Sequence, residues 1–69
     1  MAVQKAVELT GTGVTIEDAV GEALDRAAMT LSGITGFDVS DVSGRLDGTD
    51  VTYEVRLRVW FTLLERMHG

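Results

Sequence analysis

The stretch that most constrains this chain is Val51 to Leu64, VTYEVRLRVWFTLL. It alternates with period two, the spacing of side chains on a pleated strand. Tyr53, Val55, Leu57, Val59 and Phe61 fall on one face, all apolar or aromatic, and such a face meets a core. Glu54, Arg56, Arg58, Trp60 and Thr62 fall on the other. That second face is too polar for a monomer's interior, yet it carries the only tryptophan of the chain. One dry face and one mixed face describe a central strand whose second side meets another subunit or a ligand.

The segments before it supply the neighbours such a strand needs. Val3 to Thr10 alternates well enough for a first strand, and Gly11, Thr12 and Gly13 then break the pattern. A turn is the preferred reading of those three residues over a phosphate loop, because neither Gly-Lys-Ser/Thr nor GxGxxG follows. Thr15 with Asp18 has the form of a capping box, with aspartate in the place of glutamate. From there Ile16, Ala19, Val20, Ala23, Leu24, Ala27, Ala28 and Leu31 recur at steps of three and four, an amphipathic helix with one apolar stripe. Its four alanines predict close approach to the neighbouring layer. Gly33 is placed to end the helix in the left-handed conformation. Phe37 to Leu46 is the second strand, with Phe37, Val39 and Asp41 alternating against Asp38, Ser40 and Val42. Asp47-Gly48 signals a hairpin into the third strand.

The order strand, helix, strand, strand predicts an α+β fold of β-α-β-β type. The helix returns the chain, so strands one and two run parallel, and the hairpin makes strand three antiparallel to both. Strand three then sits between them, giving a three-stranded antiparallel sheet of order 1-3-2 wrapped on one amphipathic helix, a single domain over residues 1–69. A chain of 69 residues buries only about 60% of its unfolded surface, so a lone core is marginal. Without cysteine, disulfides and thiolate metal sites are excluded, and the single His68 has no second histidine to join it. Oligomerisation is the remedy left.

Six basic residues against eleven acidic ones give a formal charge of -5, a poor match for nucleic acid. No apolar run reaches the roughly 20 residues that span a bilayer, and MAVQKAVELTG lacks the apolar segment of a signal peptide, so a cytoplasmic location is expected. Glu65 to Gly69 reads as a frayed tail. Catalytic groupings are missing, and the chain is not expected to be an enzyme. Asp38 and Asp41, three apart on a strand, are expected on opposite faces. Asp47 and Asp50 around Gly48 and Thr49 offer oxygens for a hard cation, but a polar hairpin turn is preferred and no metal site is assigned. Trp60 and Arg58 are assigned to a subunit interface, where tryptophan is enriched. A stacking platform for a planar ligand is the alternative for Trp60, and Arg56 and Arg58 would then hold a ligand phosphate.

Taken together, ELTGT near the N-terminus, ALDRA inside the helix, ITGFDV into strand two and the late VRLRVWF resemble a dodecin in their order, spacing and total length. The resemblance implies a strand-helix-strand-strand fold and a hollow homo-dodecamer that binds and stores a flavin, FMN or riboflavin. It implies ligand contacts at Gly36, Asp38, Glu54 and Arg56. Gly36 stands where the family carries its stacking tryptophan, and Glu54 where it carries a glutamine that bonds the flavin ring. An ionised carboxylate accepts hydrogen bonds but donates none. The alternative is a flavin-free dodecin-like shell or a cation-binding assembly. Trp60 shares the face of Glu54, but six residues at about 3.3 Å set them roughly 20 Å apart. Only another copy of the chain is then expected to bring Trp60 to a ligand held at Glu54.

Overall fold

The computed structural model describes residues 2–64, and Glu65 to Gly69, His68 among them, lie outside the described residues. The elements follow as β1 (Ala2–Gly13), α1 (Ile16–Thr30), β2 (Ile34–Asp47) and β3 (Asp50–Leu64). They form one sheet of order β1-β3-β2, with β3 antiparallel to both neighbours, as the alternation of β3 predicted.

The register explains the core. Leu9 pairs with Leu57, Gly11 with Val55 and Gly13 with Tyr53, so these residues share the face beneath the helix. Val55, Leu57 and Val59 are buried there against Ala19, Ala23 and Ala27, and Leu9, Val20, Leu24, Leu31 and Ile34 pack around them. The two remaining stripe residues, Ile16 and Ala28, are exposed instead, Ile16 by 45%.

Three local expectations are corrected. First, Gly11 and Gly13 do not break β1 but belong to it. A Cβ on Gly11 would lie 2.1 Å from the Ala19 carbonyl oxygen and 2.8 Å from the Ala23 Cβ. On Gly13 it would lie 2.6 Å from the Ala19 nitrogen. These glycines are the strand's half of the close approach that the helix alanines predicted. Second, the helix leaves its helical conformation at Leu31, whose backbone is extended while its N–H still bonds the Ala27 carbonyl. Gly33 does have a positive φ of 72°, but two residues later, where its carbonyl accepts from the Thr62 N–H at 3.0 Å. It docks the exit of the helix onto β3. Third, β2 is bulged between Ile34 and Gly36 and between Val39 and Asp41. The second bulge absorbs Ser40, so Phe37, Val39, Val42, Gly44 and Leu46 all face the helix side of the sheet, paired with Val59, Leu57, Val55, Tyr53 and Val51. Strict alternation put Asp41 and Arg45 on that side, and the extra residue moves them to the other.

The ends of the helix and hairpin follow from their residues. Thr15 caps α1, its Oγ1 accepting from the Asp18 N–H at 3.0 Å. The β2–β3 turn is Gly48-Thr49, with a positive φ of 64° at Gly48 and none at Thr49. Asp47 thus pairs with Asp50 instead of sitting in the turn.

The helix packs on β1 and β3 and leaves β2 largely uncovered. Phe37, Val39 and Val42 are each 43–44% exposed and Leu46 is 73% exposed. The chain measures 61 × 19 × 13 Å with a radius of gyration of 15.1 Å, against about 11 Å for a compact domain of this length. It presents 5158 Å² of surface, where about 4,200 Å² is usual for this mass. Among the described residues no helix is long and apolar enough to cross a membrane.

Candidate functional site

The candidate site is the face of the sheet turned away from the helix. β3 contributes Glu54, Arg56, Arg58 and Trp60 to it by simple alternation. β1 contributes Glu8, opposite Arg58, Thr10, opposite Arg56, and Thr12, opposite Glu54. β2 contributes Gly36 opposite Trp60, Asp38 opposite Arg58, Asp41 opposite Arg56 and Ser43 opposite Glu54. The bulge at Ser40 decides the last two, and the Ser40 hydroxyl pins it by donating to the Arg56 carbonyl at 3.1 Å. Asp38 and Asp41 therefore share one face, contrary to the expectation from their spacing of three.

The polar contacts organise this face around the middle of β3. Arg58 lies 3.5 Å from the Glu8 carboxylate, both about half exposed. An exposed pair of that kind contributes about 0–1 kcal/mol and serves mainly to order the side chains. The Trp60 Nε1–H donates to Asp38 Oδ2 at 2.9 Å, a diagonal contact between β3 and β2. The indole is partly buried, and Gly36 opposite it is empty of neighbours: a Cβ there would meet nothing within 4 Å. At the other end Glu54 borders a depression of about 250 Å³ with Thr12, Ser43, Gly44, Arg45 and Thr52. Among the described residues no buried side chain is polar or charged, and no group of three or more His, Cys, Asp or Glu is placed to hold a metal ion.

The sequence-derived ligand set divides in two. Gly36 and Asp38 lie beside Trp60, and Arg56 and Glu54 lie farther along β3. Because Gly36 pairs with Trp60, six residues of β3, roughly 20 Å, separate it from the Glu54 position. Within one subunit the set is a line of contacts and not a pocket. Arg45 belongs to this face and escaped the sequence reading, since only the bulge turns it outward. The one signal for it was the apolar phase, which shifts between Val39 and Val42.

A family model described as Dodecin matches residues 3–64. Among solved structures, an arginine-to-alanine variant of the dodecin of Thermus thermophilus is 39% identical, with a TM-score of 0.88 over 94% of this chain and 100% of that one. The dodecin from Streptomyces coelicolor is 30% identical, with a TM-score of 0.86 over 94% and 96% of the two chains. That from Streptomyces davaonensis is 26% identical, with a TM-score of 0.86 over 93% and 97%. No curated protein matches.

Proposed function

The chain belongs to the dodecin family, and from that premise we propose that it assembles as a homo-dodecamer whose subunits bind and store a flavin-type ligand on the sheet face away from the helix. The observation that carries this reading is the uncovered two-sided sheet. One side leaves an apolar strip, Phe37, Val39, Val42 and Leu46, beside the core. Burial of such a strip by another copy stabilises at about 25 cal/mol per Å². The other side lines up a tryptophan, a glycine and two arginines, Trp60, Gly36, Arg56 and Arg58.

Gly36, Asp38, Glu54 and Arg56 are the ligand contacts, and Trp60 and Arg58 lie in the interface. The residues fit a flavin as follows. An indole offers a flat apolar surface for a planar ring. Guanidinium groups on one face suit a phosphate or a ring carbonyl. Glu54 accepts a hydrogen bond from a ring N–H and gives none back while ionised. Because Gly36 and Glu54 are far apart on one subunit, a ligand touching both is shared between copies. Storage then follows from geometry alone: a ring held between subunits is shielded from solvent as long as the particle is intact.

Titration of riboflavin and FMN with the native protein, read as loss of flavin fluorescence, tests this directly. Quenching that saturates at a fixed ratio of ligand to subunit is expected. Unchanged fluorescence with an intact particle would favour the second reading, a flavin-free shell, for which the departures at Gly36 and Glu54 speak.

A further inference from the structure

We infer that Trp60 is the residue that stacks on the ligand's ring, from β3, with the ring occupying the space that Gly36 leaves open on β2. This rests on the flavin-type reading above and adds to it a named contact that the interface assignment of Trp60 did not contain.

Four observations converge. The first is register. Trp60 and Gly36 are direct cross-strand partners on the same face, so whatever part of a ligand lies over Gly36 lies beside Trp60. The separation from Glu54 that counted against Trp60 applies equally to Gly36, so it does not distinguish them. The second is the empty space. An aromatic side chain opposite a glycine commonly folds over it and fills the gap. Here a Cβ on Gly36 would find nothing within 4 Å, so the indole does not lie there. A tryptophan with no work beyond covering its glycine would close that gap. The third is orientation. The indole N–H bonds Asp38 Oδ2 at 2.9 Å, one pleat along β2 from Gly36. That contact spends the only polar group of the ring on an intramolecular partner and leaves its flat surface for an apolar one. It also fixes the ring's direction before any ligand arrives, which lowers the ordering cost of binding. The fourth is surroundings. Arg58 stands opposite Asp38 on the same face, a donor for a ring carbonyl or a phosphate near the indole.

The occupant that this arrangement selects is a planar, electron-poor heteroaromatic ring such as an isoalloxazine. An electron-rich indole favours such a partner in an offset stack. The Trp60 of a second copy is the competing occupant, and the experiment separates the two.

Trp60 is the only tryptophan, so its emission reports on this one place. Riboflavin is titrated into the assembled protein while tryptophan and flavin emission are followed together, with native mass as a control. In the wild type both emissions fall in parallel. Trp60→Ala weakens riboflavin binding by roughly tenfold or more, the scale of one lost aromatic stack, and Trp60→Phe lies between. Gly36→Leu keeps the indole but fills the space, and it blocks riboflavin while the particle persists, which holds even if Trp60→Ala fails to assemble. Wild-type affinity in Trp60→Ala or in Gly36→Leu overturns the assignment and leaves the flavin reading standing. Tryptophan emission quenched by assembly alone and unmoved by riboflavin overturns it in favour of indole–indole packing. Riboflavin that the wild type does not quench overturns the flavin reading and this assignment together.

Discussion

At the scale of single residues, three glycines make opposite predictions from the same substitution. Gly11→Ala drives a methyl to 2.1 Å from the Ala19 carbonyl oxygen, an overlap that only backbone movement relieves. Overpacking of that kind costs about 1–3 kcal/mol or more. A lower urea midpoint at fixed protein concentration is expected, and Gly13→Ala should behave alike. Gly21 lies in the helix with nothing within 4 Å of its Cβ position. Gly21→Ala should raise the stability by about 0.5–1 kcal/mol, the usual gain on removing a helical glycine, and the midpoint with it. An unchanged midpoint for Gly11→Ala would show that the helix does not sit as close as its alanines imply. Sequence reasoning saw the alanines and read the glycines as punctuation, because a glycine in a strand and a glycine in a turn look alike until the opposite layer is known. Trp60 was legible as anomalous, a tryptophan on an otherwise polar strand face. Alternation put it on the mixed face, but only the register, with its bulge after Ile34, reveals that Gly36 is its partner.

At the scale of elements, β3 and the start of α1 were readable, while the end of α1 and the face of β2 were not. The helix declares itself by period, by its first-turn acids and by the Thr15 cap, each of which acts within a few residues. Thr15→Ala should cost about 1 kcal/mol, since it leaves the Asp18 N–H without its 3.0 Å acceptor. Thermal unfolding checks this, and Thr15→Ser should restore most of the loss. β3 declares itself because both neighbours hydrogen-bond to it and its dry face is unbroken. β2 hides its face because the phase of its apolar residues slips at Ser40. A bulge is specified by the pairing partner as much as by the bulged strand. That slip carries Asp41 and Arg45 to the face turned away from the helix, and two strictly alternating strands could not have placed them there.

At the scale of the whole molecule, the isolated chain is more open than a compact domain of its length. Among the described residues the buried hydrophobic ones are three alanines, two valines and a leucine, a small core for a chain of this length. The apolar strip along β2 lies just outside the helix's reach, and Val39 and Val42 sit at its centre. Val39→Glu together with Val42→Glu should convert the assembly to smaller species, because each carboxylate would have to be desolvated at the contact. Sedimentation at matched concentration reads the change, and an assembly of unaltered size would place the subunit contacts elsewhere. The sequence predicts an oligomer from what the chain lacks, and the surface left uncovered supports that reading.

The most direct test of the whole is light scattering on the native protein in riboflavin, with flavin absorbance followed across the eluting peak. The expected result is one particle near twelve times the 7.4 kDa chain mass, carrying the flavin with it. A folded species at 7.4 kDa, eluting apart from the flavin, would contradict it.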